Sequence, residues 1–350
     1  MFKIGKVKFD NKKTVIIAEV GVNHNGNLNL AYKLIRSAKK AGADIVKFQT
    51  YKANTLTTKK APRFWSWEGE VKKGGTQHDS YSRLDSFSKI EYQKIIKECK
   101  KTGIEFMSTP FDTASAEMLR NIGMKGYKIA SCDITNFQLL EYVAKTKMPI
   151  LLSTGASNIE EIKKAVKIIK KNGNKKILIM HCTLCYPTAV SDVNLNAIND
   201  LKNKFKNELI GFSDHSLGTL IPTAAFSIGI SALEKHFTIN KKLKLSADHW
   251  LSVDEKELKE IVNNSRLINK AKSKGKLKKI LKCEKKARKY ARRSIVSDRF
   301  IKKGSIIRIE DLALKRPGTG MQPSKIKSLI GKKTKRSIYA DTLIKTSMIN

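Results

Sequence analysis

Eight extended apolar runs, each followed by a segment whose apolar residues recur at helical spacing, restrict the fold of this chain more than any other feature. The runs are TVIIAEV (14–20), DIVKFQT (44–50), IEFMST (104–109), GYKIAS (126–131), PILLST (149–154), KILIMHC (176–182) and residues 209–212 and 232–237. Helical spacing covers 28–41, 89–102, 113–122, 137–145, 159–172, 195–205, 217–228 and 254–272, and Gly42 is placed to end the first of these. Strict alternation on this scale predicts a (β/α)8 TIM barrel. An open doubly wound sheet rarely uses eight units, and its GxGxxG fingerprint is absent. Between 51 and 88 lies a polar excursion over one face of the domain, with Trp65, Trp67 and the pair Gly74-Gly75; a connection this long is expected to be a functional lid or a disordered segment.

A barrel of this kind carries its chemistry where the strands end. Those ends hold Glu19; Lys47 and Gln49; Ser108 and Thr109; Lys128 and Ser131; Ser153 and Thr154; His181 and Tyr186; Ser213, Asp214 and His215; Glu234 and His236. Lysines among hydroxyls describe a surface for phosphate and carboxylate. In the stretch IGFSDHSLGTLIPTAAFSIGISALEKHF, a short helical crossover makes its two strands parallel neighbours, so His215 and His236 leave the sheet at one edge. There they can share a divalent metal.

Lys and Arg number 70 against 31 Asp and Glu, a formal net charge of +39. The lysines are scattered and lack the interleaved aromatics of a nucleic-acid platform, so a specific nucleic-acid partner is not expected. Nor is a membrane: no apolar run approaches about 18 to 20 residues, and MFKIGKVKFD lacks a signal-peptide core, which points to the cytoplasm. Five cysteines form no disulfide framework, and Cys182 with Cys185 is a single CxxC without the second pair that zinc requires.

IAEVGVNHNG, ADIVKFQT, STPFD, YKIAS, LLSTG, HCTLCYPT, GFSDHSLG and LEKHF together resemble the sialic acid synthase family, which includes the legionaminic and pseudaminic acid synthases. From Arg292 onward the chain is similar to the small β-rich antifreeze-like (SAF) domain that ends those enzymes. The expected layout is a barrel over 1–272, an exposed lysine-rich linker over 273–290 and the SAF domain over 291–350.

This resemblance implies condensation of phosphoenolpyruvate with the open-chain aldehyde of an N-acyl hexosamine, giving a nine-carbon 2-keto acid and phosphate. It assigns His215 and His236 to a divalent metal, Mn2+ or Mg2+, and phosphoenolpyruvate to Lys47, Gln49, Thr109, Lys128, Ser131, Ser153, Tyr186 and Ser213. Glu19 is expected to orient or deprotonate the attacking water, with Lys47 as a possible proton donor, and Asp248 of SADHW to grip sugar hydroxyls. It further implies a homodimer with exchanged SAF domains, in which Arg316 of KRPGTG meets the N-acyl group of the partner's substrate and Tyr290 lies near the sugar. Two positions depart from the family pattern: Leu184 stands where N-acetylneuraminate synthases place asparagine, and Trp250 sits in SADHW where GPDH is common. N-acetylmannosamine, giving N-acetylneuraminate, is the first expectation for the sugar, and a 2,4-diacetamido-trideoxyhexose, giving legionaminate or pseudaminate, the alternative. The competing classes are a noncatalytic sugar-binding paralogue and a basic nucleic-acid-binding protein.

Overall fold

A computed structural model describes residues 1–65, 74–85, 87–272 and 278–350, so Trp67 and Gly275 lie outside the described residues. The chain opens on an antiparallel hairpin of β1 (Phe2–Ile4) and β2 (Val7–Phe9). Eight parallel strands follow: β3 (Val15–Gly21), β4 (Ile45–Thr50), β5 (Glu105–Pro110), β6 (Tyr127–Ile129), β7 (Ile150–Ser153), β8 (Ile177–Cys182), β9 (Leu209–Asp214) and β10 (Ala232–His236). They pair in chain order, and β10 closes on β3 with Ala232 opposite Val15 and His236 opposite Glu19. The result is the eight-stranded TIM barrel that the alternation predicts.

Helices alternate with the strands because each carries one apolar stripe and its own stop signals. They are α1 (Leu28–Ala41), then α2 (Ala53–Leu56) and α3 (Gln77–Ser82) within the polar excursion, then α4 (Lys89–Thr102), α5 (Thr113–Asn121), α6 (Phe137–Lys145), α7 (Ile159–Lys171), α8 (Asn196–Lys204), α9 (Leu220–Ile228) and α10 (Glu255–Ala271). Ser88 with Glu91, Asn158 with Glu161 and Asp254 with Glu257 form reciprocal capping boxes. Gly42 and Gly103 end α1 and α4 in the left-handed conformation.

The period of two along the strands divides the side chains into two sets. Outward residues such as Ile16, Val46, Phe48, Ile179, Ile210 and Leu233 join the helices in the larger core. Inward residues Val15, Ile17, Ile45, Met107, Leu151, Leu178, Met180, Leu209 and Ala232 fill the barrel, with Phe2, Ile4 and Phe9 of the hairpin packed against them. This hairpin is not foreseen in the sequence reading. Its strands are three residues each, too short for a pattern to declare itself.

The chain divides into two compact units, Met1–Ser273 and Lys274–Asn350. In the second, β11 (Ser294–Ser297) pairs antiparallel with β12 (Leu312–Lys315), and isolated bridges such as Ile301 to Ile338 and Thr334 to Ile349 extend the β character. Ile295, Ile301, Ile307, Ile338, Ile344 and Met348 form its separate core. Part of the stretch read as linker is helical: α11 (Glu284–Ala291) has no buried residue, and the Glu284 carboxylate accepts from Leu281 N at 2.7 Å just before its first turn.

Candidate active site

Continuing the inward phase of the strands past their apolar layer gives the site. The register that buries Ile17, Ile45, Leu151 and Ala232 inside the barrel brings Glu19, Lys47, Ser153, Glu234 and His236 into a cavity of about 470 Å3. Gln49, Thr109, Lys128, Ser131, Tyr186, Ser213, His215 and Asp248 line the same cavity. Gly21 lies at a register shift following Glu19, with φ of 53°, a bulge of the kind that re-aims a neighbouring side chain.

At the floor is a chain of alternating charge. Lys47 Nζ lies 2.7 Å from Glu19 Oε2 and 3.8 Å from Glu234 Oε2, and donates to Thr109 Oγ1 at 2.9 Å. Lys128 Nζ is 3.2 Å from Glu234 Oε1, which also accepts from Ser213 Oγ at 3.0 Å. Gln49 Nε2 donates to Glu19 Oε1 at 3.1 Å. All four ionisable groups are buried. Burial drives the Glu19 carboxyl up to about 7 despite the attraction of Lys47. Burial opposes the charge of Glu234 as well, but Lys128 and Lys47 outweigh it and hold that carboxyl low. For Lys47, the carboxylates outweigh desolvation and keep the ammonium charged.

Hydroxyls surround this chain of charges. Ser131 Oγ accepts from Gly155 N at 2.9 Å, and a Cβ at residue 155 would stand 2.8 Å from that oxygen, so glycine permits the approach. Ser153 Oγ is buried with no hydrogen-bond partner among the described residues, a donor available to a ligand.

The two histidines face one another across the adjacent ends of β9 and β10, ring centroids 5.4 Å apart, and Tyr186 lies 4.0 Å from the His215 ring and 5.8 Å from His236. His215 Nδ1 donates to Thr183 O at 2.8 Å, which leaves the Nε2 lone pair free for a ligand. His236 Nδ1 is buried without a hydrogen bond, 3.4 Å from Asp248 Oδ2 but misaligned with it. Burial, then His215 and Lys47, keep His236 neutral, and burial pushes Asp248 up to about 6. Two facing imidazoles fit a divalent metal: His236 is neutral with an orphaned nitrogen, and His215, whose burial is outweighed by Cys182 and Thr183 so that its proton is held more tightly than usual, would give that proton up to a metal. No group of three or more His, Cys, Asp or Glu suited to a metal occurs among the described residues, so water and substrate would complete the shell.

Not every polar strand end contributes, and here the sequence reading needs correction. Ser108 bonds Thr50 Oγ1 at 2.7 Å, and Thr154 Oγ1 donates to Met180 O at 2.9 Å. His181 bonds Val193 O at 2.7 Å and stacks on Phe212, while Asp214 pairs with Lys235 at 2.7 Å. All four are in the outward phase and serve the scaffold. Conversely, Glu234 joins both lysines, a role visible in the sequence only through its two-residue offset from His236. The aromatic wall of Phe64, Trp65 and Tyr81, with Trp65 and Tyr81 centroids 5.7 Å apart, comes from the excursion and had no periodic signal. Leu184, Leu245 and Trp250 also line the cavity. Tyr290 and Arg316 belong to the second unit; both are exposed, and Gly318 N, two residues after Arg316, donates to Lys289 O at 2.9 Å.

A closed barrel whose strand ends gather two lysines, two carboxylates, several hydroxyls and a pair of imidazoles is the scaffold of an enzyme that handles a small anionic substrate. The NeuB family model matches residues 34–277, and the SAF domain model matches residues 292–350. N,N'-diacetyllegionaminic acid synthase of Campylobacter jejuni subsp. jejuni is 41% identical over 95% of this chain and 99% of its own length. The enzyme of the same name from Legionella pneumophila subsp. pneumophila is 39% identical over 94% and 92%. The crystal structure of N-acetylneuraminic acid synthetase from Leptospira borgpetersenii, in complex with citrate, superposes with a TM-score of 0.72 at 36% identity, over 82% of this chain and 94% of that one. The chain therefore belongs to the NeuB family of sialic acid synthase-type enzymes and ends in a SAF domain.

Proposed function

We propose that this protein condenses phosphoenolpyruvate with the open-chain aldehyde of an N-acylated hexosamine, forming a nine-carbon 2-keto acid and releasing phosphate. The observation that carries the proposal is the buried Glu19–Lys47–Glu234–Lys128 cluster, set beside two facing imidazoles in one cavity. Lys47 and Lys128 supply charge for the enol phosphate and its carboxylate, with Gln49, Thr109, Ser131, Ser153 and Ser213 fixing its orientation. His215 and His236 would hold a divalent cation, Mn2+ or Mg2+, which when bound would supply Lewis acidity for activating the aldehyde.

The methylene carbon of the enol forms the new bond to the aldehyde carbon, leaving an electron-poor centre at the phosphate-bearing carbon. Glu19, with its carboxyl near 7, takes the proton of the water that adds there. The tetrahedral adduct loses phosphate as its C–O bond breaks, its hydroxyl proton leaving with the phosphate as the ketone forms; the oxygen of the former aldehyde takes its proton from the Lys47 ammonium, which regains one from Glu19, 2.7 Å away. Asp248 grips sugar hydroxyls at the imidazole end.

For the acceptor, a 2,4-diacetamido-trideoxyhexose moves ahead of N-acetylmannosamine. Leu184, Leu245, Trp250 and the aromatic wall favour a sugar with fewer hydroxyls, and the two legionaminic acid synthases above share about 40% of their residues with this chain. N-acetylmannosamine keeps the support of the Leptospira neighbour's name. Arg316 of the SAF domain completes the N-acyl end in an exchanged homodimer, with Tyr290 near the sugar. Running the reaction with each sugar and weighing the products tests the choice: the legionaminic-type mass is expected at the higher kcat/KM, and preference for N-acetylmannosamine would reverse the order.

A further inference from the structure

The segment VNHNG after β3 contributes no ligand to the mechanism above, yet its side chains are among the most buried polar groups of the barrel. Asn23, His24 and His249 are fully buried, as is Thr238, and Ser252 nearly so. Asn23 Nδ2 donates to Phe237 O and to Ser252 Oγ, both at 3.0 Å, and Ser252 Oγ donates to Asp248 O at 2.6 Å. On the other side, His249 Nε2 meets Asn25 Oδ1 at 3.0 Å, and Nδ1 meets Thr238 Oγ1 at 2.8 Å. An amide oxygen only accepts, so Nε2 carries the proton and Nδ1 receives one from the threonine. Asn25 takes φ of 51°, a left-handed conformation that asparagine tolerates and that brings its amide under the loop.

These bonds span three segments remote in sequence: the loop after β3, the end of β10 at Phe237 and Thr238, and the loop carrying Asp248, His249 and Ser252. Asp248 directly precedes the anchored His249 and its carbonyl accepts from Ser252, and its carboxylate is 3.4 Å from His236. We propose that Asn23, Asn25, His249 and Ser252 form a bracket that positions Asp248 over the imidazole end of the cavity, and so set the affinity for the acceptor sugar without touching it. Asn23 Oδ1 has no hydrogen-bond partner among the described residues, but each segment of the network is tied to another by at least one bond, and loosening a joint lets the loop drift. The proposal rests on the reading that Asp248 grips the acceptor.

Three variants test it with the full-length enzyme, using the better acceptor from the sugar comparison. Asp248→Ala tests the underlying reading. Ser252→Ala removes two bonds of the bracket, and Asn25→Gly removes the His249 acceptor while keeping the left-handed backbone. The bracket predicts that Ser252→Ala and Asn25→Gly raise KM for the acceptor on the order of tenfold, the worth of one or two hydrogen bonds. KM for phosphoenolpyruvate should stay within about twofold, and Ser252→Thr, which keeps the hydroxyl, should restore the acceptor KM. Asn25 is only partly buried, so its variant carries the same prediction should Ser252→Ala fail to fold. If Asp248→Ala raises the acceptor KM while both bracket variants leave it unchanged, or move both KM values alike, the bracket is overturned. If Asp248→Ala itself leaves the acceptor KM unchanged, the reading of Asp248 fails and the bracket with it.

Discussion

Glu19 and Glu234 stand at neighbouring strand ends, share one lysine, and end in opposite protonation regimes. Glu234 has Lys128 and Ser213 to itself and remains ionised, whereas Glu19 shares Lys47 and is dominated by its own burial. That asymmetry suits one to fix charge and the other to exchange a proton. With its carboxyl near 7, Glu19 is mostly protonated below that pH and cannot act as a base, so kcat should fall as pH drops through about 7. Glu19→Gln should lose on the order of 10²- to 10⁴-fold in kcat and show no such acid limb, which a pH–rate profile checks. Lys128→Met leaves the Glu234 carboxylate buried without its nearest cation, and should cost about 3–5 kcal/mol in urea unfolding at neutral pH. The strand-end residue types were readable from the sequence, but their direction was not used. Ser108 and Thr109 are adjacent, and only the period of two, anchored on inward Met107, tells that one faces the helices and the other the cavity.

At the scale of elements, the hairpin and the loop after β3 do what the alternating units cannot. Phe9 is fully buried and stacks on Phe2 at 5.1 Å, within the apolar layer that fills the barrel. Phe9→Ala should destabilise the protein by about 3–5 kcal/mol in chemical denaturation, with the site residues left in place. His24 packs 4.2 Å from Phe87, and burial drives its imidazole down to about 3, so it is neutral when folded. Unfolded, it titrates near 6.5, and between these values the unfolded chain binds the additional proton. Stability from this group is therefore full above about 6.5 and lost as pH falls toward 3. His24→Phe should flatten that slope in melts recorded between pH 4 and 7. Long amphipathic helices and buried parallel strands were legible because their patterns run for many residues. α3, with six residues and a reciprocal Thr76–Asp79 cap, and the three-residue strands of the hairpin are fixed by tertiary contacts and local caps, which leave little pattern.

For the whole molecule, the charge of +39 and the two units raise the remaining questions. The cations that matter for the proposed chemistry at the barrel floor are the buried Lys47 and Lys128; surface lysines add a general attraction for anions, which salt screens. If SAF domains are exchanged between protomers, Glu19→Gln and Arg316→Ala lie in different copies of a composite site. In a mixed dimer one site carries both substitutions and the other neither, so co-expressing the two variants should restore about half of the activity per mixed dimer and about a quarter in an equal, randomly paired population, whereas independent protomers would give none. All of this depends on the reaction itself, and the most direct test is acceptor-dependent phosphate release from phosphoenolpyruvate by the manganese-loaded enzyme. The account predicts one phosphate per molecule of nine-carbon keto acid found by mass, no release without the sugar, and near-abolition in Glu19→Gln. Phosphate released equally without a sugar, or none with any N-acyl hexosamine from a folded, metal-loaded protein, would contradict it.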